Sequence, residues 1–259
     1  MDGIIEDLFH YPIKGLSAQP LGHVTLKAGH GFPMDRAYGF ARPGSGFDPL
    51  NPKPLPKTKF VVLARDADLA TLATKFDPTR QILTIARDGT SAEFDLNTER
   101  GRDAAAGVLC DHLNFSEAMR PTLCSAHPHK FTDVSVVSPA MMNAVSLINI
   151  ESVAHFSKLI GQDVSPARFR GNIVFSGLPA LSELDMMGQT LCIGDVRMKL
   201  IMRTKRCPAT EVNLNTGERD LNVPKLLREQ FGHSDMGVYA EILQGGLIRP
   251  GDGISVIEG

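Results

Sequence analysis

The chain lacks most of the signatures by which soluble enzymes betray a cofactor. There is no GxGxxG, Walker A or HExxH segment, which leaves no pattern for a dinucleotide, a nucleotide triphosphate or a protease zinc. The four cysteines, Cys110, Cys124, Cys192 and Cys207, form no close pair, no CxxC and no iron–sulfur spacing, so they read as free thiols. No apolar run approaches the length that spans a bilayer, and the N-terminus carries Asp2, Glu6 and Asp7 in place of a basic leader, so the cytoplasm is expected. Charge of either sign is not in excess: 27 basic against 29 acidic residues give a net charge of −2, which excludes a globally basic nucleic-acid-binding protein. With 42% hydrophobic and 22% charged residues the chain is not a disordered one, and 259 residues suffice for a large core and one or two domains.

What is present is strand-rich. Residues 4–11, 20–27, 59–65, 80–87, 90–96 and 134–137 mix apolar and polar side chains between Gly and Pro, and read as strands. So do two strands within 189–203 turning at Gly194-Asp195, and the final pair over 237–243 and 253–258. Helices are expected over Thr98–Leu113 with Thr98 as cap, over Asn149–Ile160 ended by Gly161, and over Val223–Phe231. Residues 43–56 hold five prolines, which rule out a helix or central strand and predict a long loop of the kind that often borders a binding site. Cys124, His127 and His129 are too few, and too interrupted by Pro128, for a structural metal site.

The stretch from Arg197 to Asp220 is the chemical centre of the sequence. Cys207 follows Arg203, Lys205 and Arg206, cations that favour a thiolate, and precedes Pro208, which holds the preceding residue in an extended conformation. Two readings fit these residues alone: a small buried core cysteine, or a soft ligand or nucleophile. Elsewhere, Lys14 sits at a Pro12–Gly15 corner where it meets either solvent or an anion, and Asp35 beside Arg36 reads as a surface pair. Arg168 and Arg170 enter a buried strand and need polar or anionic partners.

Five segments, YPIKG at 11–15, DRAY at 35–38, RFRGNIVFSG at 168–177, KRCPATEVNLNTG at 205–217 and GVYAEILQGGLIRPGD at 237–252, together resemble the MOSC family, named for the molybdenum-cofactor sulfurase C-terminal domain. The nearest likeness is to amidoxime-reducing components and bacterial hydroxylaminopurine-reducing proteins. The resemblance implies an α+β, strand-rich fold with a MOSC-type β-barrel and a few helices. It divides the chain into an N-terminal β-rich domain over 1–118 and a MOSC domain over 119–259. It implies a molybdenum cofactor, with Cys207 as metal ligand and catalytic residue. Lys14, Gly15, Arg36, Ser146, Arg170, Asn172, Lys205 and Arg206 are the implied cofactor contacts. Arginine forks and lysine point charges suit a cofactor that bears a phosphate and an anionic dithiolene.

The implied function is a molybdenum-dependent oxidoreductase that reduces N-hydroxylated or N-oxide small molecules. Its electrons are expected from a ferredoxin-, cytochrome b5- or flavin-reductase-like partner. The alternative is a persulfide sulfur-transfer protein or a cofactor carrier. One departure concerns substrate: where the reductases have a Thr-x-Arg-Gln-like stretch, this chain has Phe47-Asp48-Pro49-Leu50-Asn51-Pro52.

Overall fold

The computed structural model describes residues 2–87, 89–138 and 140–257. In chain order the strands are β1 (Asp2–His10), β2 (Gln19–Pro20), β3 (Val24–Leu26), β4 (Tyr38–Ala41), β5 (Ala73–Asp77), β6 (Ile82–Arg87) and β7 (Thr90–Asp95), followed by helix α1 (Glu99–His112). Then come β8 (Thr122–Ser125), β9 (Val145–Asn149), helix α2 (Ile150–Ile160), β10 (Ile173–Ser176), β11 (Thr190–Ile193) and β12 (Val196–Lys205). Helix α3 (Val223–Phe231), β13 (Asp235–Gln244), β14 (Gly246–Ile248) and β15 (Gly253–Ile257) complete the series.

Seven of these strands close on themselves in the order β10-β9-β13-β12-β11-β15-β1, with β1 pairing back onto β10. Closure satisfies every ladder edge without a covering element. Alternation puts Met198 and Leu200 of β12, Val238, Ala240 and Ile242 of β13, and Ile5 and Leu8 of β1 into one apolar interior. A second core forms outside the barrel, where β4 pairs with β8, β5-β6-β7 make a meander, and Leu109 of α1 packs with Phe40, Phe76 and Leu83. Residues expected to form one N-terminal unit are therefore shared out: β1 staves the barrel while β4 to β7 build the second core. Against the opposite side of the barrel, Phe156 of α2 and Leu227 of α3 pack with Phe169.

The helices begin and end where local chemistry says they should. Thr98 accepts a hydrogen bond from Gly101 N at 3.0 Å, Asn149 from Glu151 N at 3.1 Å, and Asn222 from Lys225 N at 3.2 Å. Gly161 and Gly232 stop α2 and α3 in the left-handed conformation. Two expected strands are absent. Residues 134–137 form a turn with Val136 and Val137 exposed, and in 59–65 only Phe60 bridges a neighbour, Ala41. β-branched content alone does not make a strand without a free edge to pair with.

Candidate functional site

Where the barrel meets the second core there is a cavity of about 330 Å³, and all nine residues singled out above line it: Lys14, Gly15, Arg36, Ser146, Arg170, Asn172, Lys205, Arg206 and Cys207. They arrive from segments scattered through the chain. Lys14 follows the end of β1 at a corner held by the bridge between Ile13 and Tyr38. Gly15 has φ +85°, and a Cβ there would lie 3.1 Å from Val61 O, so the close approach of these two segments within the second core requires glycine. Asp35 and Arg36 are not a surface pair. Asp35 is 4% exposed and accepts from Tyr11 N at 2.8 Å and from Asn172 Nδ2 at 3.1 Å, while its other oxygen takes Arg36 Nη1 at 2.6 Å. Asn172 also accepts from Ser146 N at 3.1 Å, so the two polar residues brace each other.

The two arginines of the 168–170 segment separate. Arg168 points to the rear, where it donates to both oxygens of Asp220 at 2.7 and 2.8 Å and to the carbonyl of Glu211 at 3.2 Å. That fork ties down the turn following Cys207 and uses up its charge. Arg170 takes a left-handed backbone conformation at φ +54° and turns inward. Its guanidinium lies 4.3 Å over the Tyr11 ring, which Arg36 also approaches at 4.5 Å, and donates to Leu16 O at 2.8 Å. Arg206 lies over Phe169 and donates to Phe169 O at 2.8 Å and, through Nε, to Met236 O at 2.7 Å. Gly237, at φ +71°, leaves room for it: a Cβ there would stand 3.2 Å from Arg206 Nη2 and 2.3 Å from Leu147 O. Burial lowers the pKa of both Arg170 and Arg206 to about 10.

Cys207 is half-buried, the other three cysteines being buried, and it stands at the start of the Pro208–Glu211 turn with extended backbone angles, φ −128° and ψ 172°. Its carbonyl accepts from Thr210 N at 3.0 Å and Thr210 Oγ1 at 2.9 Å. Register shifts in β12 between Leu200 and Met202 and between Arg203 and Lys205 break the alternation just before the cysteine. As a result Arg203, though it borders the cavity, spends its guanidinium on Leu184 O at 2.6 Å and Asp185 at 2.8 Å, and the Lys205 side chain is exposed at the cavity mouth. Of the three cations expected to flank the thiol, one is therefore engaged elsewhere.

Sequence reasoning missed three members of the site. Lys57, immediately after the proline-rich loop, lies beside Cys207 and donates to Asp133 at 3.3 Å. Burial depresses the Lys57 pKa, but Asp133 and the Cys207 sulfur overcome this and raise it. Asp133 also takes the buried Lys14 ammonium. Burial would raise the Asp133 carboxyl, yet Lys14 and Lys57 hold it well below the usual carboxylate range. Thr204 is the third. It is 3% exposed, lines the cavity, and its hydroxyl has no hydrogen-bond partner. No motif marks Lys57 or Asp133, which sit in irregular segments that only the tertiary fold unites.

Lys205 lines the cavity with its side chain exposed, and Arg168 and Arg203 are neutralised by Asp220 and Asp185. The five other cations, Lys14, Lys57, Arg36, Arg170 and Arg206, face two carboxylates, Asp35 and Asp133. Even with the exposed Lys205 set aside, three positive charges are left over in a partly buried setting, where charge without a partner is costly, so the cavity is built for an anion.

The family-level comparison agrees with this chemistry. Residues 127–255 match the sequence profile described as MOSC domain. This part of the chain is a MOSC domain. The MOSC-bearing chain is 30% identical over 149 residues to mitochondrial amidoxime-reducing component 1 of Xenopus laevis, a match covering 53% of this chain and 43% of that protein, less than half of the frog protein's length. It is 23% identical over 285 residues to the Mus musculus protein of the same name, covering 98% of this chain and 82% of that one. Among solved structures, the YuaD protein of Bacillus subtilis overlaps 99% of this chain and 96% of its own at 16% identity and a TM-score of 0.48. YiiM from Geobacillus stearothermophilus overlaps 44% and 54% at 21% identity and a TM-score of 0.35. Among the described residues no helix is long and apolar enough to cross a membrane.

Proposed function

We propose that the MOSC-bearing chain is a molybdenum-cofactor-dependent reductase of N-hydroxylated or N-oxide small molecules, driven by electrons from a partner protein. The observation that carries this reading is the surplus of three partly buried positive charges around a cavity whose rim holds Cys207. A phosphate and an anionic metal dithiolene would neutralise that surplus, and the unpartnered Thr204 hydroxyl would gain an acceptor. Arg36 and Arg170, both packed against the Tyr11 ring, and Lys14 would hold the anionic part of the cofactor. Arg206 and Thr204 would line its metal end. Cys207 Sγ is the soft ligand there.

When bound, the cofactor supplies a metal that changes oxidation state by two electrons and takes an oxygen from the substrate. Overall, a hydroxylamine plus two electrons and two protons gives an amine and water. The chain's own part is binding and orientation. The Arg168–Asp220 fork and Pro208 fix the cysteine's direction, and the buried guanidinium groups exclude bulk water from the inner face.

A persulfide carrier is the second reading, favoured by the half-exposed position of Cys207. One preparation separates the two: protein purified from a cofactor-competent host, analysed for molybdenum, pterin and labile sulfur, then assayed with benzamidoxime and reduced methyl viologen. Stoichiometric metal with turnover is the result expected. Metal-free folded protein with labile sulfur on Cys207 would overturn the reductase reading.

A further inference from the structure

The inner cavity leaves a second space unexplained. On the solvent side of Cys207 an open groove of about 550 Å³ is walled by Lys57, Lys205, Arg206, Pro208, Pro224 and Arg228. Its one carboxylate, Glu211, faces Arg219 at 3.4 Å and is thereby already engaged. Lys205 and Arg228 are exposed, and neither side chain makes an ion pair or hydrogen bond with a described residue. In a protein of net charge −2 this is a local positive field at the door of the thiol.

We propose that this groove is a subsite for an anionic group, a carboxylate, phosphate or sulfonate, carried by the substrate. The proposal rests on the reductase reading and narrows its substrate class to anionic N-hydroxylated or N-oxide compounds. Three features support it. The groove is shallow and open, with a volume in the range that small ligands fill. It opens directly on Cys207, so a molecule anchored there presents its far end to the sulfur. Pro208 and Pro224 give it stiff apolar walls, which favour a flat organic body between the charged ends. A convex, flat basic face would instead suit the acidic surface of a protein donor.

The test uses benzamidoxime and 4-carboxybenzamidoxime, which differ by one negative charge. Binding of both is measured by equilibrium dialysis, and kcat/KM with reduced methyl viologen, for the cofactor-loaded wild type and Arg228→Glu at 20 and 500 mM salt. The wild type is expected to prefer the carboxylate about five- to tenfold at low salt in both readouts, as a few partly exposed charges allow. Arg228→Glu should abolish the preference, and high salt should shrink it. Equal binding of the two compounds by the wild type, or a preference indifferent to Arg228→Glu, overturns the subsite. So does an Arg228→Glu defect that appears only when a reduced ferredoxin replaces methyl viologen, since the groove would then be a docking face for the donor. Absence of molybdenum and of turnover for both compounds defeats the reductase reading instead, and the dialysis ratio still decides the subsite.

Discussion

Two places in this molecule bury charge, and they resolve it in opposite ways. At the Glu183 site a carboxylate that is 1% exposed has no cation within its bonding shell. Ser152 Oγ lies 2.8 and 2.9 Å from its two oxygens and Asn149 Nδ2 donates at 3.1 Å, while Ser152 Oγ itself accepts from Leu181 N at 2.8 Å. Both carboxylate oxygens find their partners within the protein. At the MOSC cavity, by contrast, charged groups outnumber their partners and surround an open volume. Buried charge whose bonds are all made within the protein is architecture. Buried charge with bonds to spare, around a void, points to a ligand.

The sharpest way to break this contrast is Cys207→Ser. A hard, protonated hydroxyl in place of a soft sulfur should lower turnover per bound metal by at least about a hundredfold, while pterin content and melting temperature stay near wild type. Unchanged turnover per metal would remove Cys207 from the ligand set. Next come Arg36→Ala and Arg170→Ala. Each deletes a charge-assisted contact worth about 1.5–3 kcal/mol, so cofactor occupancy at limiting supply should fall about ten- to a hundredfold. Full molybdenum and pterin in both variants would take these arginines out of the site.

Glu183→Ala probes the other half of the comparison. It removes the acceptor of the buried Ser152 hydroxyl, while Asn149 Nδ2 keeps Leu178 O and Pro179 O, and should cost about 1–3 kcal/mol, seen as a lower melting temperature with turnover per metal intact. The pH dependence carries a further sign. Burial raises the folded pKa of Glu183, against the opposing bonds from Ser152 and Asn149. The folded state therefore holds this proton more tightly than the unfolded chain, and its contribution to stability is lost as pH rises from about 4.3, the unfolded value, to the raised folded one. Melting curves across that window should show the slope in wild type and lose it in Glu183→Gln. The smallest effect is expected from serine at Cys110, Cys124 or Cys192. These thiols are buried away from the cavity, so turnover per metal should not move beyond experimental error.

How much of this was legible in the sequence follows from what each feature depends on. α1, α2 and α3 are written in their caps, Thr98, Asn149 and Asn222, because capping is a contact between neighbours. The converging residues were readable as a set because their motifs are contiguous strings. Which arginine faces inward was not. Arg168 and Arg170 are two residues apart in an irregular turn, and only the left-handed backbone at Arg170 and the distant carboxylate of Asp220 decide between them. Val134 and its neighbours misled for a related reason: strand propensity is local, whereas pairing needs a partner elsewhere. The proline-rich loop was expected to border a binding site. Residues 43–56 line neither cavity nor groove, and Lys57, directly after them, lines both.

The closure of the barrel has a consequence in time. β1 must sit between β10 and β15, so the barrel's earliest strand is held open until its latest one arrives. Non-local pairings of this kind make folding slow and leave unpaired strand edges exposed meanwhile. Lys14 and Gly15 hang from the end of β1, and Arg206 and Cys207 from the end of β12, so the cavity takes shape only once nearly all of the barrel has been made. A nascent chain paused before β15 therefore presents its thiol and its arginines without the geometry that unites them, and any anion the cavity takes must wait for the barrel to close.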